Sequence, residues 1–242
     1  MRILVISDIH GNLPAFEAVL KHAGGVDAVW CLGDLVGYGP QPNECVDLVR
    51  TLPNLICLLG NHDAASMGGI DLEEFNNEAR QSVQYMIDKL TDDNKAFLES
   101  LPEKIRQNSF TMAHGSPRYP IWEYILNTED ARHNMPAFTT KYCLVGHTHV
   151  PVVYKLGKKD EHVEMTIPQV GQVIKLSPRM ILNPGSVGQP RDHNSNASYA
   201  IIDSTVNSWE LHRVPYNFRT VQKLIVDAGL PVRNAARLEG GW

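Results

Sequence analysis

The chain lacks the features that mark several specialised classes of protein. Its four cysteines form no CxxC pair, and most lie in apolar runs, so we expect buried reduced thiols rather than a disulfide framework. No apolar run approaches the ~20 residues of a membrane-spanning helix. The formal net charge of −5 gives no reason to expect binding to a membrane surface or nonspecific binding to a long nucleic acid, and leaves room for a local basic spot for phosphate. Met1 leads directly into the first apolar run without space for a signal peptide, and we predict a cytoplasmic protein.

What remains is an ordinary globular composition over 242 residues, 43% hydrophobic and 20% charged. This apolar content suffices for a sizeable core, and the chain shows no repeat, low-complexity segment or obvious linker. We therefore predict a single domain over residues 1–242. We expect order to be weakest in the tail, residues 231–242.

The N-terminal part alternates strand-like and helical patterns. Apolar runs at 2–7, 27–32 and 54–59 are separated by a helix that Asn12 can cap and by a second helix that starts at Pro42. This β-α-β-α-β order predicts a parallel sheet covered by helices.

The remainder of the chain predicts further helices and a second set of strands. Residues 64–107 show helical periodicity with a break near Thr91, and either cover the sheet or form a wall beside a functional site. Further strands are predicted at 110–113, 142–145, 152–156, 162–167, 198–203 and 209–214. Those beyond residue 150 form antiparallel pairs, the first around a turn at 157–160. The predicted fold is α/β, a sandwich of two mixed β-sheets flanked by helices.

Polar side chains directly follow five of the apolar runs. The segments are Ser7-Asp8-Ile9-His10, Gly33-Asp34, Gly60-Asn61-His62-Asp63, His114-Gly115 and Gly146-His147-Thr148-His149. The carboxyl ends of parallel strands meet at one edge of a sheet, so we expect these side chains to line one crevice. A single histidine at a strand end is more often a packed residue than a ligand, but five coincident segments favour a site.

The residue types and their spacing indicate a metal centre. On an extended segment, residues i and i+2 point to the same face about 7 Å apart, so Asp8 with His10, and His147 with His149, would each present two ligands to one cavity. Oxygen and imidazole ligands without a thiolate suit a borderline divalent ion. Seven candidates are too many for one tetrahedral zinc and suit two metals that share a carboxylate. They are Asp8, His10, Asp34, Asn61, His114, His147 and His149.

The ordered motifs DxH, GD, GNHD, H and GHTH, within residues 5–149, resemble the calcineurin-like metallophosphoesterase superfamily. The resemblance implies that Asp34 bridges two metals. One site would contain Asp8, His10 and His149, and the other Asn61, His114 and His147. His62 would contact the scissile phosphate and assist the leaving oxygen as the catalytic histidine, while Asp63 either orients His62 or caps the following helix. The implied cofactor is two divalent ions, Mn first, with Fe, Zn, Ni or Co as alternatives.

Departures from the family pattern suggest other residues for phosphate binding. The sequence GDLVGYG has Gly37 and Tyr38 where the protein serine/threonine phosphatases of the superfamily have the Asp and Arg of GDxVDRG, which argues against that branch. Arg191 is a candidate replacement, in a loop (183–192) whose backbone N–H groups could line an anion site; the alternative is a solvated arginine in an ordinary turn. Further substrate-binding candidates are Arg118 and Tyr124, while we expect Trp122 to pack in the core.

The segments NPGSVGQPRD and HGSPR resemble small prokaryotic members of the superfamily. The resemblance implies hydrolysis of a small phosphate ester or nucleotide, with a phosphodiester favoured. Hydrolysis of a dinucleoside polyphosphate or of a phosphomonoester is the alternative. A noncatalytic scaffold, such as the retromer subunit that keeps this fold, is disfavoured because His62 and all seven ligands are present. A nuclease for long DNA is disfavoured by the acidic balance.

Overall fold

The computed structural model describes residues 1–157 and 162–242, in which two six-stranded sheets pack face to face with helices outside them. The strands are β1 (Arg2–Ile6), β2 (Ala28–Cys31), β3 (Ile56–Cys57), β4 (Lys104–Gln107), β5 (Phe110–Ala113), β6 (Tyr142–Leu144), β7 (Pro151–Leu156), β8 (Val163–Thr166), β9 (Val173–Lys175), β10 (Met180–Pro184), β11 (Ala197–Asp203) and β12 (Ser208–Val214). The helices are α1 (Leu13–Ala23), α2 (Pro42–Arg50), α3 (Asn61–Ser66), α4 (Asn77–Lys89), α5 (Asp92–Glu99), α6 (Thr128–Asn134), α7 (Phe218–Asp227) and α8 (Val232–Gly240). Short 3-10 turns lie at Leu72–Glu74 and Met135–Ala137.

Both sheets are mixed, which confirms the predicted fold class. The first has the strand order β3-β2-β1-β11-β12-β9, and the second β4-β5-β6-β10-β7-β8. In the first, β1, β2 and β3 are parallel, as the β-α-β-α-β pattern predicted, and β11 joins β1 in the antiparallel sense. In the second, β5, β6 and β10 are parallel, and β7 pairs antiparallel with β8. Residues 158–160 of the predicted turn between β7 and β8 lie outside the described residues.

Burial of β1 on both faces explains its uninterrupted apolar sequence. Leu4 and Ile6 face the core beneath α1 and α2, whereas Ile3 and Val5 face the core between the sheets. Because alternate residues of a strand point to opposite faces, a strand in this position requires apolar residues at every position. The end of β1 is therefore firmly held, and so is the start of the polar loop that follows.

The predicted helix cap at Asn12 and the predicted helix break at Thr91 are both present. The Asn12 side chain accepts a hydrogen bond from Ala15 N (3.2 Å) at the start of α1. Thr91 caps α5 by accepting from Asn94 N (3.3 Å), so the break predicted at Thr91 is the boundary between α4 and α5. In contrast, β3 is shorter than the predicted run at 54–59, because Leu59 N donates to Pro102 O instead of to a neighbouring strand.

The prediction for the tail is wrong. Residues 231–242 contain α8, which packs on α7 through a small apolar cluster that includes Val221, Ile225 and Leu238. Ala235 and Leu238 are the buried residues of α8 in this cluster, and their spacing places them on one face of the helix. The C-terminal helix pair is thus an ordered part of the fold.

The cysteines agree with the sequence prediction. All four are free and buried, and Cys31 lies opposite Cys57 in the pairing of β2 with β3. As for membranes, the helices found in residues 1–157 and 162–242 are all too short or too polar to cross one.

Candidate metal centre

The polar segments that follow the strands meet at one edge of the sandwich. Asp8 N donates to Gly33 O (3.0 Å) and His10 N to Asp34 O (3.0 Å), which joins the loop after β1 to the loop after β2. Gly146 N donates to His114 O (2.8 Å), which joins the loops after β5 and β6. Each of the seven candidate ligands is at most 3% exposed. The structure therefore brings all seven into one buried region.

The backbone of these segments differs from the expectation. Five of the seven candidates have positive φ angles: Asp8 (55°), His10 (51°), Asp34 (55°), His147 (65°) and His149 (60°). The assumption that each i, i+2 pair lies on an extended segment is wrong, because the chain coils immediately after each strand. Left-handed backbone costs a non-glycine residue about 1 kcal/mol or more, and persists where the surroundings fix it, often at functional sites.

The first cluster contains Asp8, His10 and His149. His149 Nε2 lies 3.3 Å from Asp8 Oδ1 and 3.1 Å from His10 Nε2, and Asp8 Oδ1 lies 3.8 Å from His10 Nε2. Two ligand atoms that each lie about 2 Å from one ion are separated by about 3–3.4 Å. The cluster has the dimensions of a three-residue metal site.

The second cluster contains Asn61, His114 and His147. His114 Nε2 lies 3.2 Å from Asn61 Oδ1 and 3.1 Å from His147 Nδ1. His147 thus uses the opposite ring nitrogen from the other histidines. These spacings again match ligand atoms around a single ion.

Asp34 lies between the clusters. Its Oδ2 atom is 3.6 Å from His10 Nε2 and 3.3 Å from His114 Nε2, while its Oδ1 accepts a hydrogen bond from His62 N (2.9 Å). Within the described residues, Asp34 Oδ2 and Asp8 Oδ1 are buried without a hydrogen-bond partner. A buried carboxylate oxygen without a partner is costly, so these two atoms fit a bound cation.

The histidine rings are held with their lone pairs directed into the clusters. In three of them Nδ1 lies close to a backbone carbonyl oxygen: His10 to Val36 (2.9 Å), His114 to Leu32 (2.9 Å) and His149 to Gln189 (2.6 Å). A carbonyl only accepts, so Nδ1 carries the proton and Nε2 presents a lone pair, as in metal-binding histidines. The lone pairs of His10 and His149 then face each other across 3.1 Å, which is repulsive unless a cation or proton lies between them. The donor set therefore fits divalent metals.

The electrostatics of the clusters favour the same conclusion. Burial raises the pKa of Asp8 to about 7. Burial favours the neutral forms of Asp34 and His114, but the charge of each outweighs this effect on the other. His114 keeps the pKa of Asp34 well below its usual value, and Asp34 raises the pKa of His114 to about 9. Burial lowers the pKa of His10, His147 and His149 well below the usual value. Neutral imidazoles at His10, His147 and His149 and an ionised Asp34 are forms that bind metals, whereas His114 and Asp8 would release protons when a metal binds.

His62 lies beside the clusters rather than within them. Its ring packs against Tyr38 (centroids 4.5 Å apart), Phe75 (5.2 Å) and His10 (5.0 Å). Burial lowers the pKa of His62 to about 4, and its Nδ1 atom is buried without a partner in the described part of the chain. His62 is thus a neutral imidazole held next to the metal-binding residues.

The departure at Gly37 and Tyr38 has a steric explanation. Gly37 has a φ of 99°, and a Cβ atom there would lie 2.7 Å from His62 Nδ1 and 3.1 Å from His10 Nδ1. The Tyr38 ring contacts both His62 and His10, the latter at 4.8 Å between centroids. In this chain a glycine makes room for His62, and a tyrosine covers it.

Asp63 has a structural role. It accepts hydrogen bonds from Gly60 N (3.0 Å), Asp34 N (2.8 Å) and Val36 N (3.1 Å). Among the described residues it makes no hydrogen bond to His62, so the suggestion that Asp63 orients His62 is wrong. Asp63 caps α3 and also ties the start of α3 to the loop that carries Asp34.

The loop at 183–192 supports the ligands rather than offering an anion nest. Val187 N donates to Ser7 O (3.0 Å), Gly188 N to Asp8 O (2.9 Å) and Gln189 N to Ser186 Oγ (2.8 Å). Because these N–H groups are used internally, the prediction that they line an anion site is wrong. The loop instead holds the loop after β1, and Gln189 O fixes His149.

Arg191 extends from this loop toward the clusters. Its backbone N–H donates to the backbone oxygen of His149 (3.2 Å), and its guanidinium carbon lies 5.6 Å from the Tyr38 ring centroid. The guanidinium donates to Gln189 Oε1 (2.8 Å), while Nε is buried without a partner in the described residues. Arg191 is therefore a half-buried cation beside Tyr38, not a freely solvated side chain.

The other substrate-binding candidates lie in different places. Tyr124 stacks on His147 (3.9 Å between centroids, 23° between planes) and remains 43% exposed. Trp122 is 37% exposed and packs on Phe75 (5.2 Å), so the expectation that it lies in the core is wrong. Arg118 lies 3.7 Å from Glu123, and its described contacts include none of the seven ligands, so the structure does not bring it to the site.

Three residues at the site were not among the predicted site residues. Tyr38 could have been found, because it follows Asp34 in the same short loop. Phe75 lies within residues 64–107, where an apolar residue that covers the sheet is indistinguishable in sequence from one that lines a site. Gln189 fixes His149 through its backbone carbonyl, a contact that no side-chain pattern could reveal.

Comparison with known proteins gives the family. The model of the calcineurin-like phosphoesterase superfamily domain matches residues 1–207. The chain is 36% identical over 237 residues to the uncharacterized protein MJ0912 of Methanocaldococcus jannaschii, covering 95% of this chain and 93% of that protein. It is 27% identical over 220 residues to phosphodiesterase YfcE of Escherichia coli, covering 86% and 90%. A crystal structure of a metallophosphoesterase from Sphaerobacter thermophilus superposes with a TM-score of 0.92 at 46% identity, covering 100% and 99%.

The chain therefore belongs to the calcineurin-like phosphoesterase superfamily. It is a hydrolase that acts on phosphoester bonds, and it contains two groups of residues that can each hold a metal ion.

Proposed function

We propose that this protein is a binuclear metal-dependent phosphodiesterase built as one domain over residues 1–242. The observation that carries the proposal is Asp34 Oδ2, which has no hydrogen-bond partner among the described residues and lies 3.6 Å from His10 Nε2 and 3.3 Å from His114 Nε2. One carboxylate oxygen between two sets of donors is what a pair of metals with a shared ligand requires.

The proposed ligands divide as the resemblance implies. Asp34 would serve both metals. One metal would be held by Asp8, His10 and His149, and the other by Asn61, His114 and His147. The imidazole, carboxylate and amide donors favour Mn, with Fe, Zn, Ni or Co as alternatives.

The chemistry follows from what these groups do together. Two divalent ions, when bound, would acidify a nucleophilic water and neutralise phosphate oxygens. The role proposed for His62 is to stabilise the leaving oxygen by donating an N–H hydrogen bond to it, because this neutral imidazole lies beside the clusters without being a ligand. Deep burial keeps the His62 ring in one orientation, which supports this role.

Substrate contacts are proposed for Arg191 and Tyr124. Arg191 would bind a nonbridging phosphate oxygen with its guanidinium, replacing the arginine that GDLVGYG lacks. Tyr124, stacked on His147 and partly exposed, would contact the organic part of the substrate. Phe75 comes from the segment 64–107 and contacts His62, which supports a role for that segment as a wall of the site.

A small phosphate ester or nucleotide is the proposed substrate. The relative YfcE is named as a phosphodiesterase, which supports a phosphodiester, and hydrolysis of a dinucleoside polyphosphate or a phosphomonoester is the alternative.

The experiment is reconstitution. Protein stripped with a chelator is expected to be inactive, and Mn²⁺ at two equivalents is expected to restore hydrolysis of bis(p-nitrophenyl) phosphate. Parallel titrations with the other ions identify the preferred metal. Absence of turnover with every divalent ion would refute the enzyme assignment, and saturation at one equivalent would refute the binuclear site.

A further inference from the structure

A second arginine lies near Arg191, on a part of the chain that the family model does not match. Helix α8 (Val232–Gly240) follows the matched residues 1–207 and carries Arg237. Asn234 lies one turn before Arg237, and its Nδ2 atom is 3.5 Å from the backbone oxygen of Tyr38. The ring of the same Tyr38 lies under the Arg191 guanidinium. After Arg237, the chain contacts the Arg191 loop again, because His193 N donates to Gly241 O (2.7 Å).

These contacts hold two guanidinium groups in one region, and Glu78, the carboxylate that attracts Arg237, is itself paired with Arg233. The nearby acids are engaged elsewhere: Asp192 pairs with Arg213, and Glu78 with Arg233. Within the described residues, neither Arg191 nor Arg237 forms an ion pair, and the Nε atoms of both are buried without a partner. Burial lowers the pKa of Arg237, and the charge of Arg191 lowers it further.

The charge balance of the metal centre points in the same direction. Two divalent ions carry more positive charge than their two carboxylate ligands, Asp8 and Asp34, can neutralise. A single phosphodiester group and the acidified water proposed above each add one negative charge, which balances the metal centre but leaves Arg191 and Arg237 without a counter-ion. An additional anion on the substrate would relieve the repulsion between Arg191 and Arg237, and guanidinium groups bind phosphate with strong charge-assisted hydrogen bonds.

We propose that Arg191 and Arg237 form an anion subsite beside the metal centre, and that the subsite binds a second phosphate group of the substrate. This inference rests on the proposed function, since it takes the metal centre as the binding site of the first phosphate. It makes Arg237 a specificity-determining residue, which favours a substrate with two linked phosphates over one with a single phosphate.

The test compares two ligands that differ by one phosphate group. Binding of adenosine 5′-monophosphate and of α,β-methylene adenosine 5′-diphosphate is measured by calorimetry on the Mn-loaded protein, with free Mn²⁺ fixed in excess. The wild type is expected to bind the diphosphate analogue at least about tenfold more tightly than the monophosphate. Arg237→Gln is expected to reduce this preference to less than about threefold, and Arg237→Lys to keep most of it.

Arg233→Gln is the matched control. Arg233 lies on the same helix one turn earlier, and both guanidinium carbons lie 5.6 Å from the Trp242 ring, so the control also removes one arginine from that ring. It is expected to keep the wild-type preference. If Arg237→Gln and Arg233→Gln retain the same preference, the subsite is refuted. Should Arg237→Gln fail to fold, an Arg237→Lys protein that has lost the preference would refute it equally.

Failure of the proposed function would look different. Turnover of bis(p-nitrophenyl) phosphate is assayed on the same wild-type preparation. No turnover with any divalent ion refutes the phosphodiesterase, whereas normal turnover with equal binding of the two nucleotides refutes only the subsite.

Discussion

Gly37→Ala tests whether position 37 must be a glycine to leave room for the His62 ring. The added Cβ would lie 2.7 Å from His62 Nδ1 and 2.9 Å from His62 Cγ, whereas ordinary contacts begin at 3.4 Å. The imidazole must therefore move by more than half an ångström. Because a misplacement of about 1 Å can cost a catalytic group about a hundredfold in rate, we expect kcat to fall by between ten- and a hundredfold.

The same substitution also strains the backbone, and this effect must be separated from the first. Gly37 has a φ of 99°, so any side chain there costs about 1–2 kcal/mol. For a chain of this size that corresponds to a fall in Tm of roughly 2–8 °C. Gly24→Ala is the matched control, since Gly24 has a φ of 66° and a Cβ there would meet nothing within 4 Å.

The assays are thermal denaturation, metal content and steady-state hydrolysis of bis(p-nitrophenyl) phosphate by both variants. Gly24→Ala is expected to lose stability but keep the wild-type kcat. Gly37→Ala is expected to lose stability and kcat while still binding two metals, because the nearest His10 atom is 3.1 Å from the added Cβ and needs to shift only slightly. If kcat of Gly37→Ala stays within twofold of the control, the steric explanation for Gly37 is refuted.

Three further predictions concern the centre itself. His62→Gln is expected to lose most turnover but to retain two metals by elemental analysis; loss of a metal would show that His62 is a ligand. Arg191→Ala is expected to raise KM by about tenfold with a smaller change in kcat, since it removes one charged hydrogen bond to phosphate; unchanged kinetics would return Arg191 to a structural role. Chelation is expected to lower Tm, because metal at a hundred times its Kd stabilises the fold by about 2.7 kcal/mol per site; calorimetry that finds equal Tm values with and without metal would contradict the proposed sites.

The parts of the fold that were predicted are those where the type of each side chain indicates its burial or its position in a helix. The uninterrupted apolar sequence of β1 identifies a strand buried on both faces, and Asn12 identifies a helix start through its own side chain. The order of helix α8 comes from the contact of Ala235 and Leu238 with Val221 and Ile225 of α7, which the residues of α8 alone do not reveal. Its role depends on tertiary contacts that no local pattern contains.

A similar limit applies to the site. The seven candidate ligands were recognisable because their side chains belong to a metal-binding repertoire. The left-handed backbone of Asp8 and His10 could not be recognised from the sequence, because positive φ angles at non-glycine residues are imposed by the surrounding loops. The sequence also could not show that Asp63 accepts hydrogen bonds from three backbone N–H groups, since every residue except proline carries such a donor.

The carbonyl groups that hold the histidines have an implication for how freely this centre can vary. The rings of His10, His114 and His149 are set by the oxygens of Val36, Leu32 and Gln189, and every amino acid carries such an oxygen. Side chains at positions 32, 36 and 189 can therefore be exchanged without altering the tautomer of any ring, provided that the backbone path survives. Redesign of metal preference can change the surroundings of the centre extensively while leaving the orientation of its imidazoles intact.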